Sequence, residues 1–202
     1  LPNNVPTPAA AAGPSAGIIT VAASAPIDPL DKKTSVAGCK KARIRVEDMG
    51  GKAKGWISVH HGPFSKEVTT LPGHALHVKA EKTNSGPTTL WILNVTDWSR
   101  LCIVWSTNNF DAKDGNQYGK LKPCDKAGTP IKVELDVIRG QCLPEVWDID
   151  NEGVITPTWR QTGGSGRVPL RMAGSTWFQI TSTQLPLVPR MDAVKFVYEP
   201  IE

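Results

Sequence analysis

Across its 202 residues the chain shows no segment of ten or more with apolar side chains at the 3.6-residue period of an amphipathic helix. That absence turns the reading away from helical bundles and strand–helix alternation and leaves the all-β class. No apolar run approaches the ~18 residues of a membrane-spanning helix, so no membrane partner is expected. Cysteine is scarce: Cys39, Cys102, Cys124 and Cys142 form no C-x-x-C pair and have no accompanying histidine spacing of a zinc site. In a secreted protein four cysteines could form two disulfides. In a chain large enough to bury its own core they read as free, buried thiols in a reducing compartment. Charge of one sign is missing as well. Lys and Arg total 23 against 19 Asp and Glu, a net charge of +4, and the basic residues are scattered, whereas a dedicated nucleic-acid-binding domain gathers them on one face or tail.

The start also lacks familiar marks. The chain begins at Leu1 without an initiator methionine and shows neither the apolar block of a signal peptide nor an Arg-rich transit helix. The expectation is a segment cut from something longer. Catalytic signatures are missing too. There is no G-x-S-x-G, and Gly163-Gly-Ser-Gly166 is followed by no helix that could cradle phosphate. His60, His61, His74 and His77 do not chelate as a helical pair would, because His74 and His77 on one strand point to opposite faces. No enzyme activity and no cofactor are expected.

What the sequence does contain falls into two parts. Residues 1–38 hold Pro2, Pro6, Pro8, Pro14, Pro26, Pro29 and nine alanines, an arm in which helix and sheet are both interrupted. Its only basic residues, Lys32 and Lys33, are offset by Asp28 and Asp31, so it is not an electrostatic RNA-binding tail. Its Gly17–Ala22 patch is β-prone and could add to a sheet edge. From Cys39 onward the period is two. Ala42, Ile44 and Val46 alternate with Lys41, Arg43 and Arg45; Leu76, Val78 and Ala80 with His77, Lys79 and Glu81; and Ile131, Val133, Leu135 and Val137 with Lys132, Glu134 and Asp136. Further strands are expected at Trp56–Val59, Leu90–Val95, Leu101–Trp105, Val168–Leu170, Thr176–Thr181 and Ala193–Tyr198, separated by turns such as Asn84-Ser-Gly-Pro87 and Lys113-Asp-Gly115. Roughly eight to nine short strands imply a β-sandwich or jelly roll over 39–202.

Three constellations stand out within that body. Trp91, Trp98 and Trp105 recur every seven residues among seven tryptophans. Exposed indoles could stack sugars, as in a lectin; the plainer reading puts Trp91 and Trp105 in the core and leaves Trp98, in a polar turn, to meet a partner. Asp148, Asp150 and Glu152 with Gly153 resemble the opening of a calcium loop, but Trp159 occupies the position of the closing bidentate carboxylate. An acidic hairpin turn is the alternative there. Lys41, Arg43 and Arg45 share one face of a strand and could contact phosphates without reading sequence. That face could equally be solvated or paired with Glu47 and Asp48.

The order of segments then becomes suggestive. His74–Lys79, Asp97-Trp98 and Leu101–Trp105 form a strand pair with a polar excursion. Ser175-Thr-Trp-Phe-Gln-Ile180 leads through a Pro-rich link to Asp192–Tyr198, a Trp-led strand crossing to a final one. Across roughly 39–202 this pattern resembles the single-jelly-roll coat proteins of picorna-like plant viruses, the secovirid group of comoviruses and cheraviruses, and chain size makes it cheravirus-like. The resemblance implies a polyprotein cleavage product released by a 3C-like protease. It implies assembly with sister capsid subunits into an icosahedral shell around positive-strand RNA, with weak non-specific RNA contact, in the virion and, during assembly, the host cytoplasm. The competing expectation is a secreted β-sandwich module that binds carbohydrate.

Overall fold

The computed structural model describes residues 41–61, 66–83, 86–125, 127, 129–130, 142–163, 166–174, 178–187 and 189–201. The chain divides into two units, Leu1–Lys32 and Lys33–Glu202, and every described residue belongs to the second. The arm expected at 1–38 and the run Ile131–Val137 lie outside the described residues.

The described strands are β1 (Lys41–Asp48), β2 (Ala53–His61), β3 (Lys66–Thr69), β4 (His77–Glu81), β5 (Thr88–Ile92), β6 (Arg100–Trp105), β7 (Gly119–Cys124), β8 (Cys142–Leu143), β9 (Glu145–Ile149), β10 (Val154–Arg160), β11 (Arg167–Gly174), β12 (Phe178–Ser182) and β13 (Ala193–Pro200). All their pairings are antiparallel. Passing from neighbour to neighbour, β1, β4, β5, β6, β7, β12, β11 and β13 return to β1 and close an antiparallel barrel. The β9–β10 hairpin pairs with β5 on one side and with β13 and β11 on the other. The β2–β3 hairpin shares one edge of β1 with β4.

Alternation explains why these segments take this form. On β1, Ala42, Ile44 and Val46 are fully buried while Lys41, Arg43 and Arg45 face the other way. The core gathers aromatic rings where strands meet. Trp105 lies edge-to-face on Phe110 at 4.8 Å and beside Trp159 at 5.5 Å, and Phe178 meets Phe196 edge-to-face at 4.9 Å. Gly119 sits directly opposite Trp105, and a Cβ there would stand 2.8 Å from the indole. Only glycine leaves the ring its place.

Several expectations are corrected. The segment around His74 is not strand: Pro72–His74 forms a short 3-10 turn, because proline suits its first position, and β4 begins at His77. Trp91 does not fill the core; it is half-buried on the opposite face, across from Lys79 and Arg100. The expectation of free thiols fails at two positions, since Cys102 and Cys124 are joined in a disulfide, while Cys142 is free. The cause is register. Arg100 pairs with Cys124 and Cys102 with Lys122, so the two cysteines are diagonal neighbours on one face of β6 and β7. Cys39 lies outside the described residues.

Candidate nucleic-acid interface

The face of β1 that points away from the core continues across β4, β5 and β6. Register makes the row explicit: Lys41 stands opposite Lys79, Lys79 opposite Trp91, and Trp91 opposite Arg100. One step along, Arg43 stands opposite His77, and Arg45 opposite Trp56 on β2. Alternation therefore delivers Lys41, Arg43 and Arg45 to one surface, and strand pairing adds His77, Lys79 and Arg100 to it. The tryptophans are part of the same face. The Arg43 guanidinium lies 4.6 Å over the Trp56 ring and that of Arg100 5.7 Å over Trp91, contacts that each contribute about 0.5–1 kcal/mol when partly exposed.

The cations differ in how they are held. Arg43 donates to Glu199 at 3.2 Å, and the Trp56 indole N–H donates to the other oxygen of the same carboxylate at 2.9 Å. Arg45 pairs with Glu47 at 2.7 Å and reaches Glu199 at 3.5 Å, while Lys195 joins Glu47 at 3.2 Å. Burial opposes the charge on Glu47, but the hydrogen bonds and charges of Arg45 and Lys195 outweigh it and hold the carboxyl below its ordinary range. Asp48 does not join this network; its Oδ1 accepts from the Lys52 backbone N–H at 2.9 Å.

Lys41 and Lys79 are held by nothing comparable. Neither makes an ion pair with a described residue, and they face each other directly, an arrangement that destabilises a bare sheet. His77 registers this crowding. Burial first, then the charges of Lys41 and Arg43, push its pKa below the ordinary value. The Nε1 of Trp91 is buried in the same row and finds no acceptor among the described residues. Two opposed lysines, a histidine disfavoured as a cation and two arginine-stacked indoles form a surface to which an anion with planar rings would bring a charge partner for Lys41 and Lys79 and a hydrogen-bond acceptor for the Trp91 indole.

The other sequence candidates lie elsewhere. Asp150 closes the β9–β10 turn, its Oδ1 accepting from the backbone N–H groups of Glu152 and Val154 at 2.9 Å each. Asp148 and Glu152 are exposed on either side of it. Trp98 is half-buried between β5 and β6 and packs against the core.

Sequence reasoning named Lys41, Arg43 and Arg45 but not His77 and Lys79 as their partners. The alternation of Leu76, Val78 and Ala80 already put His77 and Lys79 on a polar face; only the pairing of β4 with β1 was missing. No protein family, curated protein or solved structure matches this chain.

Proposed function

We propose that the chain is a virion structural protein: a jelly-roll capsid subunit of the secovirid, cheravirus-like kind that assembles with sister subunits around positive-strand RNA. It works by association and not by catalysis, in the virion and in the host cytoplasm during assembly. The closed antiparallel barrel, with the first described strand paired to the last, supports the jelly-roll reading. One observation carries the RNA contact: the direct opposition of Lys41 and Lys79 beside His77, on a face lined by Trp56 and Trp91. Single-stranded RNA offers such a face phosphates for the lysines and bases for the indoles, without sequence readout.

A second reading is favoured by a different observation. The Cys102–Cys124 disulfide suits an oxidising compartment and therefore a secreted β-sandwich module that binds carbohydrate. Negative-stain electron microscopy of the purified full chain, with and without single-stranded RNA, separates the two. The capsid reading expects rings or shells of this chain that RNA promotes. A monomer indifferent to RNA and retained on immobilised glycans would establish the module instead.

A further inference from the structure

On the same non-core face, the row Lys41–Lys79–Trp91–Arg100 continues to Cys124 on β7. There three sulfurs meet. Cys102 and Cys124 are joined, and the Cys142 sulfur lies 2.7 Å from that of Cys124. All three sulfurs fall within 4.8 Å of one another. Their strands lie side by side in the order β7-β6-β8, with Cys142 opposite Val104. Cys102 and Cys124 are fully buried and Cys142 half-buried.

From this geometry we propose that Cys102, Cys124 and Cys142, once the disulfide is opened, form a binding site for one soft cation such as Zn²⁺ or Cu⁺. Thiolates at about 2.3 Å from zinc stand roughly 3.8 Å apart, a spacing the cluster reaches by small side-chain rotations once the covalent bond is gone. Three thiolates with no carboxylate or imidazole among them select soft ions over Mg²⁺ or Ca²⁺. Zinc held by three thiolates carries one net negative charge, which Arg100, opposite Cys124, and Lys122, opposite Cys102, would compensate. The fourth zinc position would be taken by solvent or another donor, whereas Cu⁺ accepts three.

The chemistry balances through a dithiol reductant. Its two sulfurs supply two electrons and become a disulfide, the Cys102–Cys124 bond breaks, and the two protons pass to those sulfurs. Binding of the cation then releases three protons, one from each thiol.

The test uses the full chain, reduced by a dithiol, desalted without oxygen and titrated with Cd²⁺ alone. The expected result is a thiolate-to-cadmium charge-transfer band that saturates at one equivalent. The unreduced chain should show no such band. Cys142→Ser should weaken binding by about tenfold or more, with Cys39→Ser leaving it unchanged. Equal weakening by both variants would mark unspecific thiol binding and overturn the site. If reduction loosens the fold, the cation should raise the midpoint of thermal unfolding again. A reduced chain that neither binds Cd²⁺ nor gains stability from it would overturn the proposal. The outcome is independent of whether the chain forms shells.

Discussion

Two ends of one sheet face make an instructive comparison. At the β1–β4 end, Lys41, Arg43, Arg45 and Lys79 point away from the core into partly open surroundings. At the β6–β7 end, Lys120 and Lys122 alternate with Leu121 in the same manner, yet they are only 5% and 2% exposed. Burial pushes the Lys122 ammonium down to about 8, with the neighbouring charge of Lys120 adding to it. Burial likewise pushes the Cys142 thiol up to about 12, against the opposing charges of Arg100 and Lys122. The open end leaves its cations in contact with solvent, Arg43 and Arg45 beside carboxylates and Lys41 and Lys79 without an ion pair among the described residues. The closed end makes its cations part of the structure. Period-two patterning sorts residues between faces, but it does not say whether the second face meets water.

The largest expected effect breaks that contrast directly. Lys122→Ala removes a buried side chain and its interactions and should cost about 2–3 kcal/mol. Lys79→Ala, on β4 beside β1 at the open end, should change stability by less than about 0.5 kcal/mol. Urea unfolding at constant m-value reads both. Similar costs for the two would dissolve the distinction.

Glu47→Gln should cost about 1–2 kcal/mol at neutral pH, because two half-exposed cations lose their carboxylate. The folded carboxyl is held below its unfolded value. Its contribution is therefore fully present above the unfolded pKa of about 4.3 and lost as pH falls through the lower folded one. Wild-type and variant midpoints should converge in acid. A gap that stays constant down to pH 2 would remove Glu47 from the network.

His77 supplies the smallest and most local test. Its folded pKa lies below the unfolded value, owing first to burial and then to Lys41 and Arg43. Below about pH 6.5 the unfolded chain takes the proton more readily, so His77 costs stability as pH falls there. Lys41→Ala should raise the His77 pKa in an NMR titration, and added single-stranded RNA should raise it in the wild type. An unmoved His77 resonance in both cases would separate it from the lysine row.

Much of this fold was legible in the sequence where alternation was clean. β1, β4, β6 and β13 lie where Ala42–Val46, Val78–Ala80, Leu101–Trp105 and Ala193–Tyr198 announced them. β7 was not among the expected strands, because Leu121 is its one aliphatic side chain, set between Lys120 and Lys122 and followed by Pro123. Nor was β10, because Pro157 interrupts it and an acidic turn precedes it. The basic residues of β1 were legible as a set. Their opposition to His77 and Lys79, and the meeting of three cysteines separated by 22 and 18 residues, were not. Both depend on cross-strand register, which local sequence does not encode when the partners are far apart.

The central claim is the proposal that the open end of this face meets RNA through Lys41 and Lys79, which make no ion pair with a described residue. The salt dependence of binding measures this most directly, with the full chain and an unstructured single-stranded RNA. Each phosphate contact contributes about −0.7 to the slope of log K against log salt on a single strand. The wild-type slope should be shallow, and Lys41→Ala with Lys79→Ala together should reduce its magnitude by about 1.4, while Lys122→Ala leaves it unchanged. A steep slope untouched by the paired substitution, or one that falls only with Lys122→Ala, would contradict the account.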